Sequence, residues 1–176
     1  MAGWAAARIK LMVPEHPASY AVLRFALAVI FNIMLVISCT LLVSLVTGNT
    51  AEAGLILISF ALLRQVSGGV HLKSGMACVI VTTVMFTILS YVQAGPAGVQ
   101  LMNGLSLLLV LLLAPAGIDK QTKIPRQHWP KLKIIAAVLV TMNFFIASPV
   151  IAAAFAAQSI SLVLAWRKGS GNHQNI

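Results

Sequence analysis

Two residues in this chain have the chemistry of a nucleophile and its base. Cys78 offers a thiol and His71 an imidazole, seven positions apart in the stretch RQVSGGVHLKSGMAC, residues 64–78. On an unbroken helix that spacing puts two groups on one face about 10 Å apart. A thiol and the base that takes its proton need something nearer ~3 Å. The stretch contains two breaks that close the gap. Gly68-Gly69 interrupts the chain before His71, and Ser74-Gly75 interrupts it before Cys78. His71 is therefore expected on a loop folded back over the start of a helix, with Cys78 in that helix's first turn. The unpaired amides of a first turn favour a thiolate, and Arg64 and Lys73 add positive charge in the same direction. Plainer uses of the same residues stand beside this one. A Cys at a helix start can be a small packing residue, a His at a membrane surface a solvated side chain, and Gly-Gly a turn. A metal site would need more ligands than His71 and Cys78, and no nearby carboxylate completes four, so neither a metal nor a cofactor is expected.

The elements that must position this pair are membrane spans. Of 176 residues, 60% are hydrophobic and 9% charged, and the mean hydropathy is +0.97. Such long apolar runs with so few charges read as an all-α, polytopic integral membrane protein. The net charge is +9, from 12 Lys and Arg against Glu15, Glu52 and Asp119. The basic residues fall in short segments between apolar runs. This is the pattern of membrane topology rather than of nucleic-acid binding, and no nucleic-acid partner is expected.

Six transmembrane helices are expected, at about 25–46, 51–66, 76–93, 98–114, 134–148 and 150–166. The second is short between Glu52 and Arg64. The last two need a hairpin or kink between them, because one helix over 134–166 would run roughly 50 Å. Pro149 is the expected place. Residues 4–12 read equally as a short interfacial helix or a frayed terminus, and Pro14 to Pro17 argue against a cleavable leader. Residues 1–168 form one membrane-embedded domain, and 169–176 read as a disordered tail. Asn32, Asn103 and Asn143 are read as the only amides deep in the spans, with helix–helix hydrogen bonding as their use. Cys39 lies inside a span and reads as a small core residue. The connections at 47–52, 93–98 and 148–149 hold no Lys or Arg, whereas every other connection and both ends do. The positive-inside rule then places the N- and C-termini and the 64–78 stretch on the cytoplasmic side.

The pattern R-x3-G-G-x-H-x6-C, carried by Arg64, Gly68, Gly69, His71 and Cys78, resembles that of the accessory gene regulator B family. The segment APAGIDKQTKI at 114–124 also resembles that family's Ala-Pro segment before a basic, proline-containing loop. These are bacterial membrane cysteine endopeptidases that process a quorum-sensing propeptide. The resemblance implies that Cys78 is the nucleophile and His71 the general base. Arg64 and Gly69 stand where the family also relies on its residues, with Gly68 beside them. Gln65, Ser67 and Ser74 are candidates to orient His71 or to donate to an oxyanion.

The same resemblance implies a substrate and a product. A short amphipathic propeptide with an acidic C-terminal tail would lie on the inner leaflet of the bacterial cytoplasmic membrane. Attack by Cys78 would give an acyl-thioester, and a Cys or Ser of the propeptide would close a thiolactone or lactone ring. The basic connection, with Lys120, Lys123, Arg126, Lys131 and Lys133, would anchor on membrane lipids or hold the acidic tail. A homodimer is also implied. Two other readings stay open: a small permease or structural membrane protein, and an unrelated membrane thiol acyltransferase.

Overall fold

Ends of helices in this chain are set by glycine, proline and hydroxyl side chains, since nearly every residue between them is apolar. The computed structural model describes residues 1–15, 17–70, 74–116 and 125–170. Those residues fold into seven α-helices: α1 (Ala2–Met12), α2 (Tyr20–Thr47), α3 (Thr50–Ser67), α4 (Gly75–Leu89), α5 (Pro96–Leu113), α6 (Trp129–Ile146) and α7 (Pro149–Ser170). Ser19 caps α2 by accepting from the Val22 amide, and Gly48 ends it in the left-handed region at φ 77°. Pro96 starts α5, where a missing N–H costs nothing. Ala147 closes α6 at φ 54°, and Pro149 opens α7 two residues later. The hairpin expected at Pro149 is therefore present.

Among the described residues, five helices are long and apolar enough to cross a membrane: α2, α3, α5, α6 and α7. The chain is an all-α membrane protein. The short second span expected from sequence is among the five, as α3. The third expected span is not among the five and is a shorter apolar helix. Residues 76–93 are helical only to Leu89, so α4 has 15 residues and a length of about 22 Å. Hydroxyl groups explain the early stop. Thr87 Oγ1 donates to the Thr83 carbonyl, and Ser90 Oγ to that of Thr87. They compete for the acceptors of the last turn, which tightens into i→i+3 bonds from Tyr91 to Ile88 and Val92 to Leu89. At the N-terminus α1 is a helix, packed on α2 with Ala6 buried and Tyr20 donating to the Gly3 carbonyl. At the other end α7 runs through Ser170, two residues into the expected tail, and 171–176 lie outside the described residues.

The core lies where α7 packs on α3 and α5. Ala152, Ala153 and Ala154 let the backbones approach closely. Leu63, Val110, Val140, Phe155 and Leu162 fill one cluster, while Ile56, Phe60, Phe86 and Val150 fill a second. Phe60 and Phe86 meet edge to face, with centroids 5.0 Å apart. By contrast α2 keeps Phe25, Ile30, Ile33, Leu42 and Leu45 exposed, the composition of a lipid-facing surface.

Candidate functional site

The end of α3 and the head of α4 carry most of the residues singled out from sequence. Helix α3 stops at Ser67 because Gly68 and Gly69 take φ values of 81° and 132°, which residues with a Cβ avoid. The chain then runs extended beside the segment after α5. Gly69 N–H donates to the Ala116 carbonyl at 2.9 Å, and Ala116 N–H to that of Ser67 at 3.0 Å. Gly68 and Ala116 thus form a single parallel bridge, which joins the segment before His71 to the segment before the basic connection.

Helix α4 begins at Gly75. Ser74 is its N-cap, accepting from the Ala77 amide through Oγ, and its own carbonyl accepts the Cys78 N–H at 3.0 Å. Cys78 therefore closes the first turn and is half-buried, with Sγ 3.9 Å from Thr82 Oγ1. Asn32 of α2 backs this turn, its Oδ1 3.5 Å from where a Cβ on Gly75 would sit.

Arg64 points from the last turn of α3 into the polar space between these elements. Its Nη2 donates to the Val70 carbonyl, and its Nη1 donates to Gln158 Oε1 at 3.4 Å. The guanidinium carbon stands 5.8 Å from the centre of the Phe60 ring. No carboxylate among the described residues pairs with this cation, and Arg64 lies near enough to Cys78 for their charges to interact.

The other candidates divide. Ser67 is buried and accepts from Gln158 Nε2 at 3.1 Å, while Gln65 is exposed on the outer face of α3. Ser74 Oγ is engaged in capping. His71, Lys73, Lys120 and Lys123 lie outside the described residues. Arg126 falls in the 3-10 turn Arg126–His128, and Lys131 and Lys133 lie in the first turns of α6. Basic side chains at a helix N-terminus oppose the helix dipole, at a cost of about 0.3–1 kcal/mol each. Helix stability does not explain their placement. Cys39 is half-buried in α2, between Ser38 and Thr40.

Gln158 is a residue that sequence reasoning missed, and its presence corrects the statement that Asn32, Asn103 and Asn143 are the only amides deep in the spans. It is 0% exposed in α7. Nε2 donates to Ser67 Oγ and, at 2.6 Å, to the Gly68 carbonyl; Oε1 accepts from Arg64 and, at 3.0 Å, from Ser161 Oγ. All four hydrogen-bonding positions of the amide are filled. The available signal was a lone Gln, with Ser159 and Ser161 beside it, in an otherwise Ala-rich apolar run. Asn103 and Asn143 do as expected, bonding each other across α5 and α6 at 2.9 Å.

A sequence model of the accessory gene regulator B family matches residues 9–167. An AgrB-like protein of Halalkalibacterium halodurans is 23% identical over 139 residues, covering 79% of this chain and 71% of the relative. No solved structure matches. The match takes in both glycine breaks, Arg64, Cys78 and the basic connection, and it bears out the resemblance read from the motif: the chain belongs to the accessory gene regulator B family.

Proposed function

We propose that the protein is a membrane cysteine endopeptidase that cleaves a quorum-sensing propeptide near its C-terminal side and cyclises the product. The observation that carries this reading is the placement of Cys78. It stands at the end of a first helical turn, where unpaired amides favour an anion, with the Arg64 cation near it and no carboxylate among the described residues paired with that cation. Family membership supplies the substrate class.

In the proposed reaction the Cys78 proton passes to His71, and the thiolate attacks a backbone carbonyl of the propeptide. The tetrahedral adduct collapses with His71 protonating the departing amine, so that the acidic C-terminal tail leaves and the leader remains as a thioester on Cys78. A Cys or Ser within the leader then attacks that thioester. Its proton returns to Cys78 through His71, and the ring closes as a thiolactone or lactone. Keeping water from the thioester favours ring closure over hydrolysis.

The site works from the cytoplasmic side in this proposal, on a propeptide lying on the inner leaflet, with α4 crossing as a short sixth span so that both termini are cytoplasmic, and with two chains forming a dimer. The backbone bonds between Ser67, Gly69 and Ala116 support the sidedness. They bring the connection holding Arg64 and Lys73 to the same end of the bundle as the one with five basic residues at 120–133. Those residues would hold the acidic tail.

The test is capture of the thioester. Purified protein is mixed with a synthetic propeptide of this class, quenched in acid and weighed intact. The expected result is added mass equal to the N-terminal cleavage fragment less one water, removed by neutral hydroxylamine. Release of the tail without any such adduct would count against a covalent route.

A further inference from the structure

The polar cluster around Gln158 has a feature that packing alone does not require. Its amide is saturated by four partners, and each partner belongs to a different part of the site's support. Ser67 is the last residue of α3. Gly68 is the first residue after it and the one bridged to Ala116. Arg64 bonds onward to the Val70 carbonyl, the last backbone group before His71. Ser161 sits one turn further along α7 and orients the amide. Arg64 can only donate, so the amide oxygen must face it and the NH2 must face Gly68. Gly69 is packed against the same group: a Cβ there would lie 3.2 Å from Gln158 Nε2, 3.2 Å from Arg64 Nη1 and 2.6 Å from Ser161 Oγ.

We propose that Gln158 is a positioning residue for the peptidase reaction: its neutral amide fixes residues 67–70, from which the chain enters His71, and holds Arg64 without cancelling its charge. The inference deepens the cysteine-peptidase reading and rests on it for its catalytic consequence. Two features of the chemistry make an amide the group required. A carboxylate at the same place would pair with Arg64 and remove the positive charge near Cys78. It would also set an oxygen against the Gly68 carbonyl, where Nε2 now donates at 2.6 Å. A methionine would fit the volume but leave both the carbonyl and the guanidinium short of a partner.

The test compares wild type with Gln158→Glu and Gln158→Met in detergent, by hydrogen exchange and by steady-state cleavage of the synthetic propeptide. Both variants are expected to raise deuterium uptake in peptides covering 64–70, while peptides from the α5–α6 contact stay protected. Both are expected to lower kcat about 100-fold, the scale of a misplaced reacting group, with KM within about twofold. A purely structural role would instead spread the exchange over α7 and α5 and lower the folded fraction, leaving kcat per folded molecule unchanged. If Gln158→Glu fails to fold, Ser161→Ala takes its place. It removes one donor to Gln158 Oε1 and is expected to give a smaller change in the same peptides. Unchanged exchange at 64–70 in the folded variants overturns the proposal, as does a Gln158→Glu enzyme with wild-type kcat. If wild type itself does not cleave the propeptide, the peptidase reading fails, and the exchange data alone decide whether Gln158 holds the segment.

Discussion

Two buried amide networks lie toward opposite ends of α5, and they are built differently. In one, Asn143 Nδ2 donates to Asn103 Oδ1 and to the Ser148 carbonyl, and its own oxygen accepts the Ser148 N–H. That network is neutral, pins two helices and closes the α6–α7 turn. In the other, Gln158 ties α7 to the end of α3, and the partners include a cation and a glycine at positive φ. The first spends its hydrogen bonds on joining elements that already pack together. The second holds an irregular segment and a charge that has no carboxylate partner among the described residues and lies near a half-buried thiol. A half-buried cation with no carboxylate partner among the described residues costs stability, and the difference points to the second network as the one kept for chemistry.

The sharpest way to break that contrast is at Gly69. Gly69→Ala combines a φ of 132° with a contact of 2.6 Å to Ser161 Oγ. Cleavage of the synthetic propeptide is expected to fall by about 100-fold or more, with the purified protein still helical by circular dichroism. Activity near wild type would mean that the 67–70 segment does not set the reaction geometry.

Next is Arg64. Lysine keeps the charge but lacks the planar fork that reaches Gln158 and Val70 together. Arg64→Lys is expected to retain more activity than Arg64→Gln, by about tenfold on the scale of one charged hydrogen bond. Equal losses would show that position matters and charge does not.

The contrasting network should respond in stability. Asn143→Ala leaves the Asn103 oxygen and two Ser148 backbone groups short of a partner. A destabilisation of about 1–3 kcal/mol is expected, read as a lower midpoint of thermal unfolding in detergent, with kcat per folded molecule unchanged. A large loss of kcat without a change in midpoint would erase the distinction between the two networks.

Much of this arrangement was legible in the sequence because it depends on local chemistry. Gly68-Gly69 had to end α3, Ser74-Gly75 had to break the chain before Cys78, and a run from 134 to 166 had to turn near Pro149. The end of α4 was not legible in the same way. The apolar run continues past Leu89, and the hydroxyl bonds of Thr87 and Ser90 at the helix end do not show in that pattern. Gln158 was hidden for another reason. It lies 94 residues from Arg64 in the chain, and nothing in the local pattern of α7 announces which helix will meet it. His71, the proposed base, lies outside the described residues, so its role rests on the motif and the family.

The smallest effects are expected from the basic connection. Replacing Lys120, Lys123 and Arg126 with Gln should raise KM severalfold for the full propeptide and leave kcat unchanged, because exposed ion pairs are screened and act on encounter more than on chemistry. A propeptide with a neutralised tail should show no difference. Equal effects on both substrates would assign those side chains to lipid anchoring.

The central claim is that the thiol at the head of α4 is the nucleophile, and the two cysteines provide the control within one molecule. Purified Cys78→Ala and Cys39→Ala proteins are incubated with the synthetic propeptide, and the released tail and the cyclic product are followed by mass spectrometry. The account predicts no tail and no ring from Cys78→Ala, and yields within about twofold of wild type from Cys39→Ala, whose thiol has no charged neighbour in sequence. Cleavage by Cys78→Ala at a rate near wild type would contradict it.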